Sequence, residues 1–412
     1  MENFSNNSCP NIIVFSNAPF KIIHKDNIDV VMDFTFNTIQ INNINILNEY
    51  IVKYKKSIDL IVVQCDNTYT EKDKLYKYFE SLPKYYKRRI LVYNDWQNHA
   101  KDLYKIIDRQ IDGICNPFIS FITPLYKTNK KYFYELYSSL KRQTINDWEW
   151  IIVDDSPYGE ELEFAKETAS YDIRVFYYRI EPTNGNIGLA KWRANCMSSG
   201  NWLMELDHDD IILPYTIDFI QDAVNKHKDA GFIYSSTANL DGNGEFIDKM
   251  YGDYFAYMYG VNDTVWDSTY NKYIPFISTP INECTIMDII SAPNHLRCWR
   301  RDIYFEIGGH SQYIRACDDY ELIVRTFLKT RFINIYYPLY IQRFAGQNSQ
   351  YESDNIIDIN NRKIYIRNHY YNKLKERFKQ EYNIEIFGNS PEETIRYYCV
   401  NIDKSHDVNY IY

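Results

Sequence analysis

Four apolar runs of strand length recur within a hundred residues: "FISFITPLY" (118–126), "WEWIIVDDSP" (148–157), "IRVFYYRI" (173–180) and "NWLMELDHDD" (201–210). Between the first two, "NKKYFYELYSSLKRQT" sets Phe133, Leu136, Tyr137 and Leu140 at helical spacing. "NIGLAKWRANCMSSG" (186–200) reads as a loop entering a helix, and "LPYTIDFIQDAVNKH" (213–227) has Pro214 where a helix takes its first turn. Buried strands alternating with helices predict a βαβαβ-type unit built on a mainly parallel sheet.

Two of these strands end in carboxylates. "WIIVDDSP" closes on Asp154 and Asp155, and "MELDHDD" on Asp207, Asp209 and Asp210. In open α/β sheets ligands bind outside the carboxyl ends of the strands, so two acidic ends in one unit predict a site there. Asp209 and Asp210 can also be read as caps of the following helix. Asp207 lies too far before Pro214 to cap it. The other reading is a divalent-cation site for a phosphorylated ligand, because Mg²⁺ or Mn²⁺ takes one or two carboxylates and fills up with phosphate oxygens and water. Strand alternation sends His208 away from its two neighbours, as a packing residue.

The 412 residues exceed one ordinary core. Residues 1–116 carry their own β-rich runs ("NIIVFSN", "IDVVMDF", "DLIVVQC", "RILVYND"), with helical segments "EKDKLYKYFESL" and "NHAKDLYKIIDRQI" between or after them. They predict a small α/β domain with a parallel sheet, ending at "GICNPF" (113–118). That domain has neither a phosphate loop nor a DxD motif, so its expected role is architecture or partner docking. Residues 346–412 are expected to be a helical extension and tail. In "IDINNRKIYIRNHYYNKLKERF" (357–378), Ile366, Tyr370, Leu374 and Phe378 stand four apart, a stripe for packing on the main domain or for peripheral contact with an anionic membrane. The aromatic-rich stretch 241–292 is expected to be an insertion on the acceptor side, and His310 in "GGH" a surface residue.

A net charge of −9 argues against a general nucleic-acid binder. The eight scattered cysteines form no CxxC pair and suit reduced thiols. No window reaches the length of an apolar span, and "MENFSNNSCPNIIVF" lacks the pattern of a leader. The expected location is therefore the cytoplasm, or the host cytoplasm or a viral factory if the chain is viral.

In order, "ISFITPLYK", "WIIVDDSP", "NIGLAKWRA" and "GNWLMELDHDDIILP" resemble the nucleotide-binding half of inverting family 2 glycosyltransferases of GT-A fold. "HLRCWRRDIYFEIGGH" and "ACDDYELIVRTF" resemble the acceptor half, so the likeness spans roughly 117–345. It implies a mixed, mainly parallel sheet flanked by helices. It also implies transfer of a sugar from a nucleotide-sugar donor, with UDP the expected nucleotide, to a hydroxyl of a glycan, lipid-linked or protein acceptor. Thr123 and Pro124 would lie in the first nucleotide loop, and Asp155 would accept a hydrogen bond from the base. Asp207 and Asp209 would form the DxD pair, with Asp209 as the main Mn²⁺ or Mg²⁺ ligand and Asp207 toward the ribose. Asp319 would be the general base, preceded by Asp318.

The pattern departs from the family in three places. Leu125 stands where an aromatic is common, with Tyr126 beside it; "AKWRANC" offers Lys191, Arg193 and Asn195 in place of an Arg-Asn pair; and "IQRFAGQ" lacks QxxRW. Lys191 and Arg193 are taken as donor-binding candidates.

The chemistry suits these residue types. A nucleoside diphosphate leaves readily once its charge is neutralised by a cation. A hydroxyl nucleophile needs a carboxylate to take its proton, and a single displacement inverts the anomeric centre. "DDYEL" can also be a solvated helix start. A non-catalytic nucleotide- or glycan-binding protein on this fold is the alternative reading. A nucleotidyltransferase would need a glycine-rich loop that "TPLYKTNKK" lacks.

Overall fold

The computed structural model describes residues 117–401 apart from 161, 173, 181, 248–260, 291, 315–316 and 345–352. Before them it describes residues 43–54, 74, 78, 81 and short strands, and after them 410–411.

In the N-terminal part, β1 (Asn11–Ser16), β4 (Asn37–Ile41), β5 (Leu60–Gln64) and β6 (Ile90–Tyr93) form a four-stranded sheet of order β4-β1-β5-β6, parallel throughout. Of the run "IDVVMDF", Asp29–Val30 (β3) is described, in a short antiparallel pair with Ile22–Ile23 (β2), and the rest lies outside the described residues. Helix α1 (Ile44–Tyr54) connects β4 to β5 and buries Leu47, Tyr50 and Ile51. The segment "NHAKDLYKIIDRQI" and most of "EKDKLYKYFESL" lie outside the described residues.

A second sheet of eleven strands carries the rest. Its first elements are β7 (Ile119–Leu125), α2 (Lys130–Lys141), β8 (Trp148–Asp154), α3 (Glu163–Tyr171), β9 (Val175–Arg179), α4 (Ile187–Met197) and β10 (Trp202–Glu205). There follow β11 (Ile211–Ile212), α5 (Thr216–Lys226), β12 (Ala230–Asp241), the hairpin β13 (Val261–Asp267) and β14 (Lys272–Ser278), α6 (Thr285–Asp288) and β15 (Arg297–Arg300). The chain ends in α7 (Arg301–Glu306), α8 (Asp318–Phe327), β16 (Arg331–Phe344), α9 (Ser353–Tyr382), α10 (Pro391–Val400) and β17 (Tyr410–Ile411).

The order is β11-β16-β12-β15-β10-β7-β8-β9. β10, β7, β8 and β9 run parallel, as do β12 and β16, and β15 is wedged antiparallel between the two blocks. The sheet is mixed and mainly parallel, as the sequence predicts.

Both faces are covered, which is why the strands tolerate continuous apolar runs. On one face α2 lays Phe133, Leu136, Tyr137 and Leu140 against Phe121 and Trp150, with Phe133 stacked 5.1 Å from Trp150. On the other, Ala190 and Ala194 of α4 pack on Ile122, Ile151 and Val153. A second core joins α8 to α9, where Phe327 meets Phe378 at 5.2 Å. Ile366, Leu374 and Phe378 are buried there and Tyr370 packs against them, so the stripe of 357–378 covers the main sheet's helices and is not free for a membrane. Among the described residues no helix is long and apolar enough to cross one.

Candidate active site

β10 is held at both ends. At its start, the buried carboxylate of Glu149 in β8 accepts from the backbone N–H groups of Ser199 (2.5 Å) and Gly200 (3.1 Å). At its end the chain turns: Asp210 N donates to Asp207 O (3.3 Å) before β11 begins. Residues 207–210 are therefore a turn, not strand, and the alternation expected for His208 does not apply. Its Nδ1 lies 3.8 Å from Asp209 Oδ1, on the same side as a neighbour it was expected to oppose.

The capping expectation for Asp210 also fails. β11 separates it from α5, which starts at Thr216 after Pro214. The Asp210 carboxylate, nearly fully buried, accepts from the Tyr340 hydroxyl (2.8 Å) and from Arg343 N (2.7 Å) in β16. The same Tyr340 oxygen accepts from Asp207 N (3.1 Å). Arg343 donates to the Asp209 carbonyl (2.9 Å), pairs with Glu135 of α2 and lies 4.2 Å over the Tyr132 ring. Asp210, Tyr340 and Arg343 thus clamp the turn. Burial, with Asp209 and Asp207 beside it, pushes the Asp210 carboxyl well above the ordinary carboxylate range.

Clamped in this way, the turn leaves Asp207 and Asp209 partly in solvent, at 34% and 31% exposure. Asp207 Oδ2 lies 3.4 Å from His295 Nε2. Burial lowers the His295 imidazole against the pull of Asp207, so it is a neutral partner. Burial raises the Asp209 carboxyl and Asp207 adds to it, against His208 and Arg343. A cation would relieve that crowding, and two accessible carboxylate groups are the oxygen donors that Mg²⁺ or Mn²⁺ takes. Among the described residues no group of three or more His, Cys, Asp or Glu side chains is arranged to hold a metal ion.

The other donor-side candidates are distributed along the same sheet edge. Thr123 and Pro124 lie inside β7, not in a loop after it. The Thr123 hydroxyl is buried, donating to Leu206 O (2.7 Å) and accepting from Trp150 Nε1 (2.8 Å), while Pro124 is half-buried. Asp155 accepts from Thr183 N (2.6 Å) and Thr183 Oγ1 (2.5 Å), and burial raises its carboxyl despite those bonds. Lys191 and Arg193, two apart on α4, face different ways. Arg193 is an electrostatic neighbour of Asp155, and Lys191 reaches Glu205, its Nζ 3.4 Å from Oε1.

On the acceptor side, α8 starts at Asp318 with Leu322, Ile323 and Phe327 buried, as the spacing predicts. Asp319 is half-buried at 31% exposure and accepts from Arg297 Nη1 (2.7 Å). Burial raises its carboxyl, but Arg297 and Lys191 outweigh that and hold it below the usual range, so it is ionised. Asp318 is fully enclosed; burial pushes its carboxyl up to about 6 against Lys191, and Asp319 adds to the rise.

Sequence reasoning missed the group at the centre. Glu205, 2% exposed, meets His310 Nε2 at 2.6 Å, Lys191 Nζ at 3.4 Å and Arg297 Nη1 at 3.6 Å. His310 is buried, not a surface residue, and its Nδ1 shares a proton with the Tyr304 hydroxyl at 2.7 Å. Gly309 (φ +66°) permits this, since a Cβ there would stand 2.5 Å from the Tyr304 ring. The available signals were single charges in apolar runs: Glu205 in "WLMEL" and Arg297 in "LRCW".

The donor half matches a known family. Residues 120–279 match the model for "Glycosyl transferase family 2". An uncharacterized glycosyltransferase of Methanocaldococcus jannaschii is 28% identical over 132 residues, 32% of this chain and 45% of that protein. One of Haemophilus influenzae is 24% identical over 267 residues, covering 63% and 79%. Among solved structures, S. aureus TarS in complex with UDP aligns with a TM-score of 0.44 at 15% identity, covering 65% of this chain and 72% of that one. The chain spans less than half the length of the first curated relatives it matches. Its fold is of GT-A type, and the likeness to glycosyltransferase family 2 lies in residues 120–279.

Proposed function

We propose that the protein is a metal-dependent inverting glycosyltransferase that moves a sugar from a UDP-sugar to an acceptor hydroxyl. The observation that carries this reading is the position of Lys191, a buried ammonium that has both Asp207 and Asp319 as electrostatic neighbours. The candidate cation turn and the candidate base therefore share one charged centre, although they are far apart in sequence. A non-catalytic binder has no need of the second.

In this reading Asp209 and Asp207 hold Mn²⁺ or Mg²⁺, which when bound neutralises the diphosphate as it leaves. Asp155 and Arg193 serve the base end of the nucleotide, and Thr123 and Pro124 shape the strand end against which it lies. Asp319, ionised and partly exposed, accepts the proton of the attacking hydroxyl. The acceptor would be a glycan, a lipid-linked sugar or a protein, and the reaction would take place in the cytoplasm. Nucleotide sugars incubated with Mn²⁺ and no acceptor test the reading: UDP-sugar hydrolysis lost in EDTA is expected, and hydrolysis undiminished in EDTA would remove the metal.

Residues 1–116 form a separate domain in this proposal, with 117–345 catalytic and 346–412 an extension sharing its core. A chain starting at Asn116 should keep donor hydrolysis. If it folds and is inactive, the first domain completes the site.

A further inference from the structure

Glu205 occupies a position that strand alternation assigns to the core. In β10, Trp202 and Met204 face one core and Leu203 faces the other, so Glu205 points to the Leu203 side, among Trp299 and Tyr304. A buried carboxylate costs several kcal/mol unless it is paired with good geometry, and an apolar side chain would hold the strand end at least as well. Its three partners come from three separate elements: Lys191 from α4, Arg297 from β15 and His310 from the turn after α7.

Arg297 is the partner that reaches outward. Its Nε donates to Pro293 O (2.9 Å), which fixes the plane of the guanidinium. Its Nη1 then lies 3.6 Å from Glu205 Oε2 and 2.7 Å from Asp319 Oδ2. The side chain is 3% exposed, so it touches bulk solvent hardly at all and acts through the carboxylate it holds. The backbone of this region is equally constrained: a Cβ on Gly188 of α4 would stand 2.5 Å from Ser311 O and 3.0 Å from Asp318 Cβ. α4, the 307–311 turn and α8 are thereby packed tightly round the bridge.

We propose that Arg297, anchored on Glu205, is the positioning residue for Asp319, and that this bridge ties the proton-accepting carboxylate to the strand end bearing Asp207 and Asp209. The proposal rests on Asp319 being the base. A lysine cannot replace the bridge, because a point charge lacks the fixed fork that serves Pro293, Glu205 and Asp319 together.

Four charged groups face Asp319: Arg297 from β15, Lys191 from α4, Glu205 from β10 and Asp318 on its own helix. Arg297 and Lys191 favour the ionised form and Glu205 opposes it. Removing Arg297's charge must therefore move the acid limb of the transfer-rate profile upward in pH. Removing Glu205's charge must move it downward.

The test compares Arg297→Gln, Arg297→Lys, Glu205→Gln and Asp319→Asn in the full chain. Transfer is assayed from pH 4.5 to 9 with the donor and acceptor found by screening, and binding of UDP with Mn²⁺ is measured by calorimetry. We expect Arg297→Gln to shift the acid limb up and Glu205→Gln to shift it down, each by about half a pH unit or more. Arg297→Lys, which keeps the charge, should lower kcat about tenfold with a smaller shift, and UDP affinity should stay within about twofold. Acid limbs that do not move in opposite directions, or UDP affinity falling in step with kcat, would make the bridge merely structural and overturn the proposal. If Arg297→Gln does not fold, the Arg297→Lys and Glu205→Gln pair decides it on the same criteria. Unchanged transfer in Asp319→Asn would overturn the reading of the base itself, and the bridge with it.

Discussion

The carboxyl ends of β8 and β10 look alike in sequence, two acidic clusters after apolar strands, and they have opposite physical states. At the end of β8, Asp154 is completely buried and accepts from Tyr177 Oη (2.5 Å), Ser156 N (3.0 Å) and Leu162 N (3.1 Å), with Arg179 Nη1 at 3.5 Å. Asp155 beside it binds Thr183 twice. Asp154 has been consumed in fixing loops, and Asp155 is tied to one of them. At the end of β10 only Asp210 is consumed in this way, and its clamp leaves Asp207 and Asp209 partly exposed in a turn. An acidic strand end is thus two devices. One residue anchors the backbone, and what remains after anchoring is available for a ligand.

The largest effects should come from exchanging the roles. Asp209→Ala should reduce Mn²⁺-dependent donor hydrolysis to background while leaving thermal unfolding nearly unchanged, because its side chain supports little of the fold. Asp154→Ala should do the reverse, leaving the Tyr177 hydroxyl and Arg179 without their buried partner and costing about 3 kcal/mol in denaturant unfolding. If Asp209→Ala unfolds the chain and Asp154→Ala does not, the contrast between the two ends is wrong.

Next in size is Asp319→Asn. It should cut transfer about 10²-fold or more, with UDP–Mn²⁺ affinity preserved, since the turn at 207–209 is untouched. A parallel loss of nucleotide affinity would mean that Asp319 belongs to the donor side. A smaller effect is expected at Asp155, whose two oxygens each accept a bond from Thr183. Asp155→Ala should weaken UDP about tenfold in calorimetry, through loss of Thr183 and of one hydrogen bond to the base. Equal affinities for UDP, GDP and CDP in the parent protein would remove its reading role.

Much of this was legible in the chain. The periods of α2 and α8 and the continuous runs of β7, β8 and β10 identify their elements, because burial on both faces of a parallel sheet leaves no alternation to misread. Two things were not legible, each for a tertiary reason. Whether Asp210 caps a helix depends on β11, two residues long, which exists only because β16 pairs with it. Whether Glu205 is a surface or a core charge depends on Lys191, Arg297 and His310 arriving from other elements.

The pair Asp318–Asp319 repeats the contrast on the acceptor side, and gives the prediction with the least effect on turnover. Asp318 is enclosed, its Oδ2 has no hydrogen-bond partner among the described residues, and His310 Nε2 lies 3.9 Å from it. Its carboxyl is pushed up to about 6, from 3.8, by burial first and by Asp319, with Lys191 opposing. The folded state therefore binds a proton more tightly than the unfolded chain does. Between pH 4 and 6 stability falls as pH rises, and above about 7 the whole penalty for an ionised, enclosed carboxylate is present. Asn has nearly the shape of the protonated acid and never ionises. Asp318→Asn should consequently stabilise the protein at pH 8 by about 1–3 kcal/mol in denaturant unfolding, with the gain shrinking to nothing at pH 4. Transfer should fall far less than in Asp319→Asn. A variant that is less stable than the parent at pH 8 would show that Lys191 and His310 hold Asp318 ionised, making it part of the charged bridge instead of its buried neighbour.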